Sequence, residues 1–252
     1  RPADEKDYFY VDCGKSFDYS DVIADINSAT NTDPIVMMAT EPGMPLYMHP
    51  FVNDDLIRIT DVVGMTELNG NVYCIKNISG DTFELYETDG VTPVDGTEFD
   101  AYVSGGLCEK VAKVLSGLDH LKLKTVAVYA DGKALGQEVV SSGGTITIDE
   151  YAVKIHVGLP YTGKLWTQRL GGFSQVRIPE ATLLLYKSRG GRIGADAGSL
   201  KAIRYASDTL LTGPQEVRIG GAFSREGSIM IVQDQPLPMT VLGIVAEMSA
   251  GE

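Results

Sequence analysis

The sequence holds few of the residues from which enzyme sites are usually built. In 252 residues there are three histidines (His49, His120, His156), three cysteines (Cys13, Cys74, Cys108) and one tryptophan, Trp166. GxSxG, HExxH, GxGxxG and GxxxxGK[ST] are all missing, which removes the common serine-hydrolase, zinc-protease, dinucleotide and P-loop signatures. The cysteines lie far apart, with no CxxC and no histidine at ligand spacing, so neither a disulfide framework nor a metal site is expected. They read as small buried apolar residues of a protein made in a reducing cytoplasm. The one glycosylation sequon, Asn77-Ile78-Ser79, carries no weight without a secretory route. No apolar run approaches the roughly 18 residues that cross a bilayer, and the longest, ATLLLY and TVLGIV, have strand length. The opening RPADEKDYFY lacks the basic and apolar regions of a signal peptide and lacks an initiator Met. The chain is therefore expected to begin inside a longer polypeptide or behind a removed segment.

Basic residues are scarce in one half only. The net charge is −13, yet residues 1–106 hold 5 Lys/Arg against 20 Asp/Glu, whereas residues 107–252 hold 16 against 14. So acidic a first half excludes a grip on nucleic acid through phosphate neutralisation, which needs a basic footprint. Two readings of the acidity stay open: it serves solubility, or it repels or slides along a polyanion. The 44% apolar and 22% charged content is that of a globular chain long enough for one large core or two modest ones.

What is present in quantity is glycine, 28 residues, punctuating short β-branched segments. That is the signature of a mainly β protein of antiparallel hairpins and meanders, forming a β-sandwich or barrel-like body with a small inserted β module. KTVAVYADGKALGQEVV predicts a hairpin turned at Asp131-Gly132. In the strand that follows, Tyr151, Val153, Ile155, Val157 and Leu159 alternate onto one face, which leaves Lys154 and His156 on a polar face. QVRIPEATLLLYKSRGGRIG predicts a strand running into a tight turn, and EVRI, SIMIVQ and TVLGIVAE predict three more. The best helix candidate is DYSDVIADINSA, with Asp18 as cap and Val22, Ile23 and Ile26 on one face. Between TNTDP and YVSGG, residues 31–106 form an acidic β meander with Ile57 and Ile59 on one side of a strand and a turn at Asn69-Gly70. The domain layout expected is 1–30 and 107–252 for one β domain and 31–106 for the insert.

Candidate chemistry is sparse. Asp119-His120 has the residue types of a catalytic dyad, but neighbours on an extended chain point to opposite faces, so the pair reads as a turn before a strand. On that strand Leu121, Leu123, Thr125, Ala127 and Tyr129 are expected on one face, with Lys122 and Lys124 charging the other. Asp119 is expected to order the turn backbone and His120 to pack or bond locally. SRGGRIGADAG, with Gly190, Gly191, Gly194 and Gly198 beside Arg189 and Arg192, matches no phosphate loop and precedes no amphipathic helix. Asp54-Asp55 and Asp149-Glu150 are the carboxylate pairs a glycosidase would need, and in so acidic a chain such pairs also arise by chance. Trp166 and the aromatics of KLWTQRLGGF suit a strand core or subunit contact better than stacking on sugar or base. No catalytic, cofactor-binding or metal-ligating residue is assigned, no cofactor is expected, and the chain is expected not to be an enzyme.

Five ordered segments, Tyr10–Gly14, Gly117–Gly132, His156–Thr167, Ile178–Gly194 and Gln233–Glu247, together resemble the tail nozzle, or tail tubular protein B, family of short-tailed bacteriophages and related prophages. The resemblance implies a mainly β virion protein that forms a six-fold ring below portal and adaptor around the DNA-ejection channel. Its implied partners are further copies of itself, the adaptor and other tail proteins, with DNA passing through unbound and no membrane segment. Its implied location is the virion tail, assembled in the bacterial cytoplasm. Family members are usually longer, which implies a C-terminal fragment. VVGMTELNG and TFELYETDG of the insert look like the β module named after the first catalytic-cysteine half-domain of ubiquitin-activating enzymes. Cys74 sits mid-strand with no basic neighbour nearer than Lys76, so a binding or spacing role is the implied one. The rival expectations are a glycan- or receptor-binding protein using the insert, and a cell-wall glycan hydrolase using a carboxylate pair.

Overall fold

The computed structural model describes residues 11–43, 48–170, 175–206, 209–220, 223, 225 and 227–251. Residues 1–10, the GGF of KLWTQRLGGF and most of loop 221–226 lie outside the described residues. Eighteen strands are described. The first nine are β1 (Val11–Asp18), β2 (Ile23–Ala29), β3 (Val36–Thr40), β4 (Leu56–Val63), β5 (Val72–Ser79), β6 (Thr82–Tyr86), β7 (Ser104–Leu115), β8 (Thr125–Ala130) and β9 (Lys133–Val139). The rest are β10 (Ile146–Ala152), β11 (Lys154–Pro160), β12 (Gly163–Trp166), β13 (Val176–Ser188), β14 (Arg192–Gly194), β15 (Lys201–Ala202), β16 (Leu211–Arg218), β17 (Met230–Gln233) and β18 (Thr240–Ala250). Among the described residues the only helical pieces are single 3-10 turns at Thr66–Leu68 and Asp119–Leu121. The fold is mainly β with antiparallel pairings, as the glycine-punctuated pattern predicts.

The chain divides into two compact units. One comprises residues up to Lys15, Gly117–Ile146 and the chain from His156 onward; the other comprises Ser16–Ser116 and Thr147–Ile155. The second unit is built on a closed six-stranded barrel in the order β2-β3-β6-β5-β4-β7, with β7 pairing back to β2 and β10 flanking β7. Its interior is filled by Ile35, Met37, Ile57, Ile59, Ile75 and Phe83, all essentially solvent-free. Even eight strands leave a barrel bore only wide enough for side chains, so this barrel is a packed core and encloses no channel.

The barrel strands lie partly outside the expected insert. β2 precedes residue 31, and most of β7 follows residue 106. TNTDP, read as a linker, is the turn between β2 and β3, and YVSGG runs directly into β7. The helix expected over 18–29 is the strand β2. Ala24 and Ile26 alternate into the core at a period of two, and the 3.6-residue match of Val22, Ile23 and Ile26 gives way to pairing on both edges of β2. Asp18 caps no helix; its Oδ1 accepts from the Ser20 amide (2.9 Å) and hydroxyl (2.7 Å) and holds a turn.

The first unit contains three sheets, in the orders β1-β11-β8-β9, β12-β17-β14-β15 and β16-β13-β18. Asp131 (φ 44°) and Gly132 (φ 84°) turn the β8–β9 hairpin with both central residues left-handed, as a type I′ turn requires. β8 departs from the expected alternation. Val126 to Ala130 are all buried, so both faces of β8 are covered, and Leu123, just before the strand, is exposed with φ 60°. In β13 the buried set shifts phase between Ile178 and Ala181, where the pairing with β18 slips around Pro179. A proline in a central strand is tolerated at such a bulge because it has no N–H to place in the ladder. Its carbonyl still accepts from Ile219 (3.0 Å).

Gly106 fixes where β7 bends. Its φ is +105°, and a Cβ there would lie 2.7 Å from Val62 Cγ2 and 2.8 Å from Ile26 Cδ1, both core side chains. Gly106→Ala combines backbone strain with overpacking and is expected to destabilise the chain by about 2–4 kcal/mol. Urea unfolding followed by circular dichroism checks this, and an unchanged midpoint would show that the barrel has slack at this corner.

Candidate functional site

The Asp119–His120 pair forms no dyad. Asp119 Oδ1 meets Lys122 Nζ at 2.6 Å, and that bond holds its carboxyl below the ordinary value of 3.8. His120 Nε2 lies 3.0 Å from the Cys13 carbonyl oxygen, which accepts its proton. The pair thus tethers a 3-10 turn to β1, and His120 bonds across 107 residues of sequence.

The other two histidines are buried. His156, expected on a polar face, is 6% exposed and stacks on Tyr129 with ring centroids 5.9 Å apart. Residues 155–158 of β11 are all buried, so both faces of the strand are covered there. His49, in the barrel unit, stacks on Phe51 (5.4 Å) and meets the edge of Phe83 (5.0 Å). Its Nδ1 accepts from the Phe51 amide at 3.3 Å, while Nε2 is buried without a partner among the described residues. Burial pushes its pKa below 6.5, partly opposed by Asp81.

Two of the three cysteines are buried, as the composition suggests, and Cys13 is exposed. Burial raises the Cys74 thiol, with Lys76 opposing, and raises the fully buried Cys108 thiol further. Cys108 Sγ rests 3.7 Å from Met37 Sδ inside the barrel. Neither buried thiol is suited to nucleophilic chemistry, which needs accessible thiolate.

The carboxylate pairs are held by neighbouring cations. Asp54 meets Lys76 and Asp55 meets Lys110, each at 2.5 Å, and Asp55 Oδ2 also accepts from the Val52 amide (3.0 Å). These separate ion pairs leave no two carboxyls poised across a cleft. Asp149 and Glu150 are adjacent, exposed residues of β10. Among the described residues no group of three or more His, Cys, Asp and Glu could hold a metal ion, and no helix is long and apolar enough to cross a membrane. In the glycine-rich stretch, Arg192 pairs with Asp234, the Gly190 carbonyl accepts from Tyr205 (2.8 Å), and Asp196 closes a turn on the Gly198 amide. Those partners make it a set of turns around β14. Trp166 is half-exposed on the edge strand β12, where its indole N–H donates to Ser228 Oγ at 3.0 Å.

The surface features that remain are recesses of the first unit and the charge of the second. One recess of about 290 Å³ is apolar, between β12, β17 and β18, and is lined by Tyr161, Leu165, Ile231, Met239 and Val241. A second, of about 450 Å³, is lined by Lys133, Arg189, Tyr205 and Gln235. A third, of about 430 Å³, lies along β15 and β16 and carries Lys201, Arg204 and Arg218. The charge division by sequence half is kept when the chain is divided by unit. The barrel unit holds 5 Lys/Arg against 19 Asp/Glu, and the other unit 16 against 15. The sequence carried this signal; placing it on one compact unit needed the fold.

A family model described as the ubiquitin-activating enzyme E1 FCCH domain matches residues 35–112, within the acidic unit. The match spans five of the six barrel strands, β3 to β7, and β2 closes the barrel from outside it. No curated protein matches the chain.

Two measurements follow from these environments. Native iodoacetamide treatment should modify Cys13 alone, with Cys74 and Cys108 reacting only after unfolding; mass spectrometry reads the outcome, and native labelling of Cys108 would mean an open barrel. For His49, the unfolded chain binds a proton near 6.5 and the folded chain only at lower pH, so stability is lost as pH falls through 6.5. His49→Gln should flatten the fall in unfolding midpoint between pH 7.5 and 5 relative to the parent chain. Equal slopes would place the proton uptake elsewhere.

Proposed function

We propose that the chain is a structural segment of the tail nozzle of a short-tailed bacteriophage or prophage, building part of the ring through which DNA is ejected. The observation that carries this reading is a coincidence of boundaries. All five segments that resemble the nozzle family fall within the first unit, and the acidic FCCH-like stretch falls within the other. Two independently recognised sequences thus sort onto two separately packed bodies, as expected of a nozzle domain carrying an inserted module.

The surface chemistry supports a building role. The buried thiols and histidines face packed side chains. Among the described residues β12, β15, β16 and β18 are terminal strands of their sheets. Such edges meet neighbouring chains readily, and different surfaces joined head to tail close into rings. The acidic unit suits a conduit because DNA adheres only where cations displace its counterions.

The deciding experiment is immunogold electron microscopy of virions with an antibody against this chain. Label at the tail below the capsid is expected; virions without label would overturn the assignment. Where the acidic unit borders the channel, replacing its exposed Asp and Glu residues by Lys should slow DNA ejection measured by dye uptake, and unchanged kinetics would remove the electrostatic part of the proposal.

A further inference from the structure

The groove along β15 and β16 is rich in cations. Lys201, Arg204 and Arg218 are exposed, and none forms an ion pair among the described residues. The single acid in its lining is Glu216. Both strands are terminal in their sheets among the described residues. Three cations beside one lining acid leave the groove with a net positive charge, which an anionic partner offsets.

The barrel unit carries a matching surface. Residues 87–100, ETDGVTPVDGTEFD, contain Glu87, Asp89, Asp95, Glu98 and Asp100 and no Lys or Arg. All five acids are exposed, yet the strap they lie on is anchored to the barrel unit. Val94 is buried, and a Cβ on Gly96 would fall 2.5 Å from Ile35 Cγ1. Asn31 Nδ2 donates to the carbonyls of Gly96 (3.3 Å), Phe99 (2.7 Å) and Asp100 (3.2 Å), and the Asp100 amide donates to Glu67 (3.0 Å). Asp89 accepts from the Thr92 and Val91 amides and Asp95 from the Thr97 hydroxyl and amide, which lowers both pKa values and keeps the carboxylates charged in mild acid. A preorganised strap loses little conformational entropy on docking.

We propose that the Lys201–Arg204–Arg218 groove of one copy binds the acidic strap 87–100 of a second copy. Groove and strap are different surfaces, so the contact is head to tail and repeats from copy to copy, closing into a ring or growing as a filament. The inference rests on the ring-forming reading only for that closure; the contact itself rests on charge complementarity between the two surfaces.

Sedimentation velocity on the whole chain tests it through a charge exchange. The parent chain should associate at low salt and dissociate at high salt, as screening shortens the reach of exposed charges. Lys201→Glu/Arg204→Glu/Arg218→Glu should weaken association by about tenfold or more, as should Glu87→Lys/Glu98→Lys/Asp100→Lys. An equimolar mixture of the two variants should recover association, because the reversed groove then meets a reversed strap. Circular dichroism confirms that each variant is folded. A parent chain monomeric at every salt concentration overturns the proposal, as does a mixture of folded variants that fails to recover. Loss on groove reversal with none on strap reversal gives the groove a different anionic partner and also overturns it. Rings that persist in the groove variant would refute this contact and leave the nozzle assignment standing; charge-dependent association without virion labelling would do the reverse.

Discussion

The barrel depends on one short stretch of backbone serving two neighbours. Leu107, Cys108 and Glu109 of β7 pair with Asp25, Ala24 and Ile23 of β2 on one side and with Thr60, Ile59 and Arg58 of β4 on the other. An antiparallel ladder fixes side-chain facing at a period of two, so a slip of one residue on either side would expel Cys108 or Ile59 from the core. Arg58 locks the register: it pairs with Glu109 directly opposite at 3.0 Å and donates to the Tyr151 carbonyl at 2.8 Å. With closure fixed, the six strands enclose a volume that their own side chains fill, and most charged residues of the unit are left for its outer surface.

That division explains why the strands of the acidic module are readable from sequence while its extent is not. Ile57 and Ile59 announce β4 by alternation, and Asn69-Gly70 marks the turn before β5. β2 carries its period partly on Ala24, a small residue that a pattern search undervalues, whereas Val22, Ile23 and Ile26 imitate a helical stripe. The composition of TNTDP and YVSGG is that of a linker because hairpin turns and sharply bent strands use the same residues. Only pairing partners distinguish the cases, and those lie some 80 residues away, at Glu109 for Ile23.

The candidate sites show a similar limit. The sequence argues correctly that Asp119 and His120 do not work as a dyad, yet the bond from His120 to the Cys13 carbonyl joins segments that no local pattern connects. His156 looks polar by alternation and is buried because both faces of its strand are covered at that point, with its ring stacked on Tyr129. Lys201, Arg204 and Arg218 stand in two separate stretches and become one groove only when β15 and β16 lie side by side. Charge counts, by contrast, survive folding unchanged. Their sorting onto two bodies concentrates nearly all the net charge of the chain on the barrel unit.

The pairing of β2 with β7 also means that the barrel is entered and left at the same place. Ile23 and Glu109 face each other across one antiparallel ladder, and such partners lie about 5 Å apart at Cα. A body whose two ends are neighbours can be gained, lost or exchanged by a host chain at the cost of bridging a gap little longer than one residue. The barrel's surface could therefore be exchanged by recombination near that pair, provided the incoming sequence kept the edge of β7 that β10 occupies, since Thr147–Ile155 belong to the same unit.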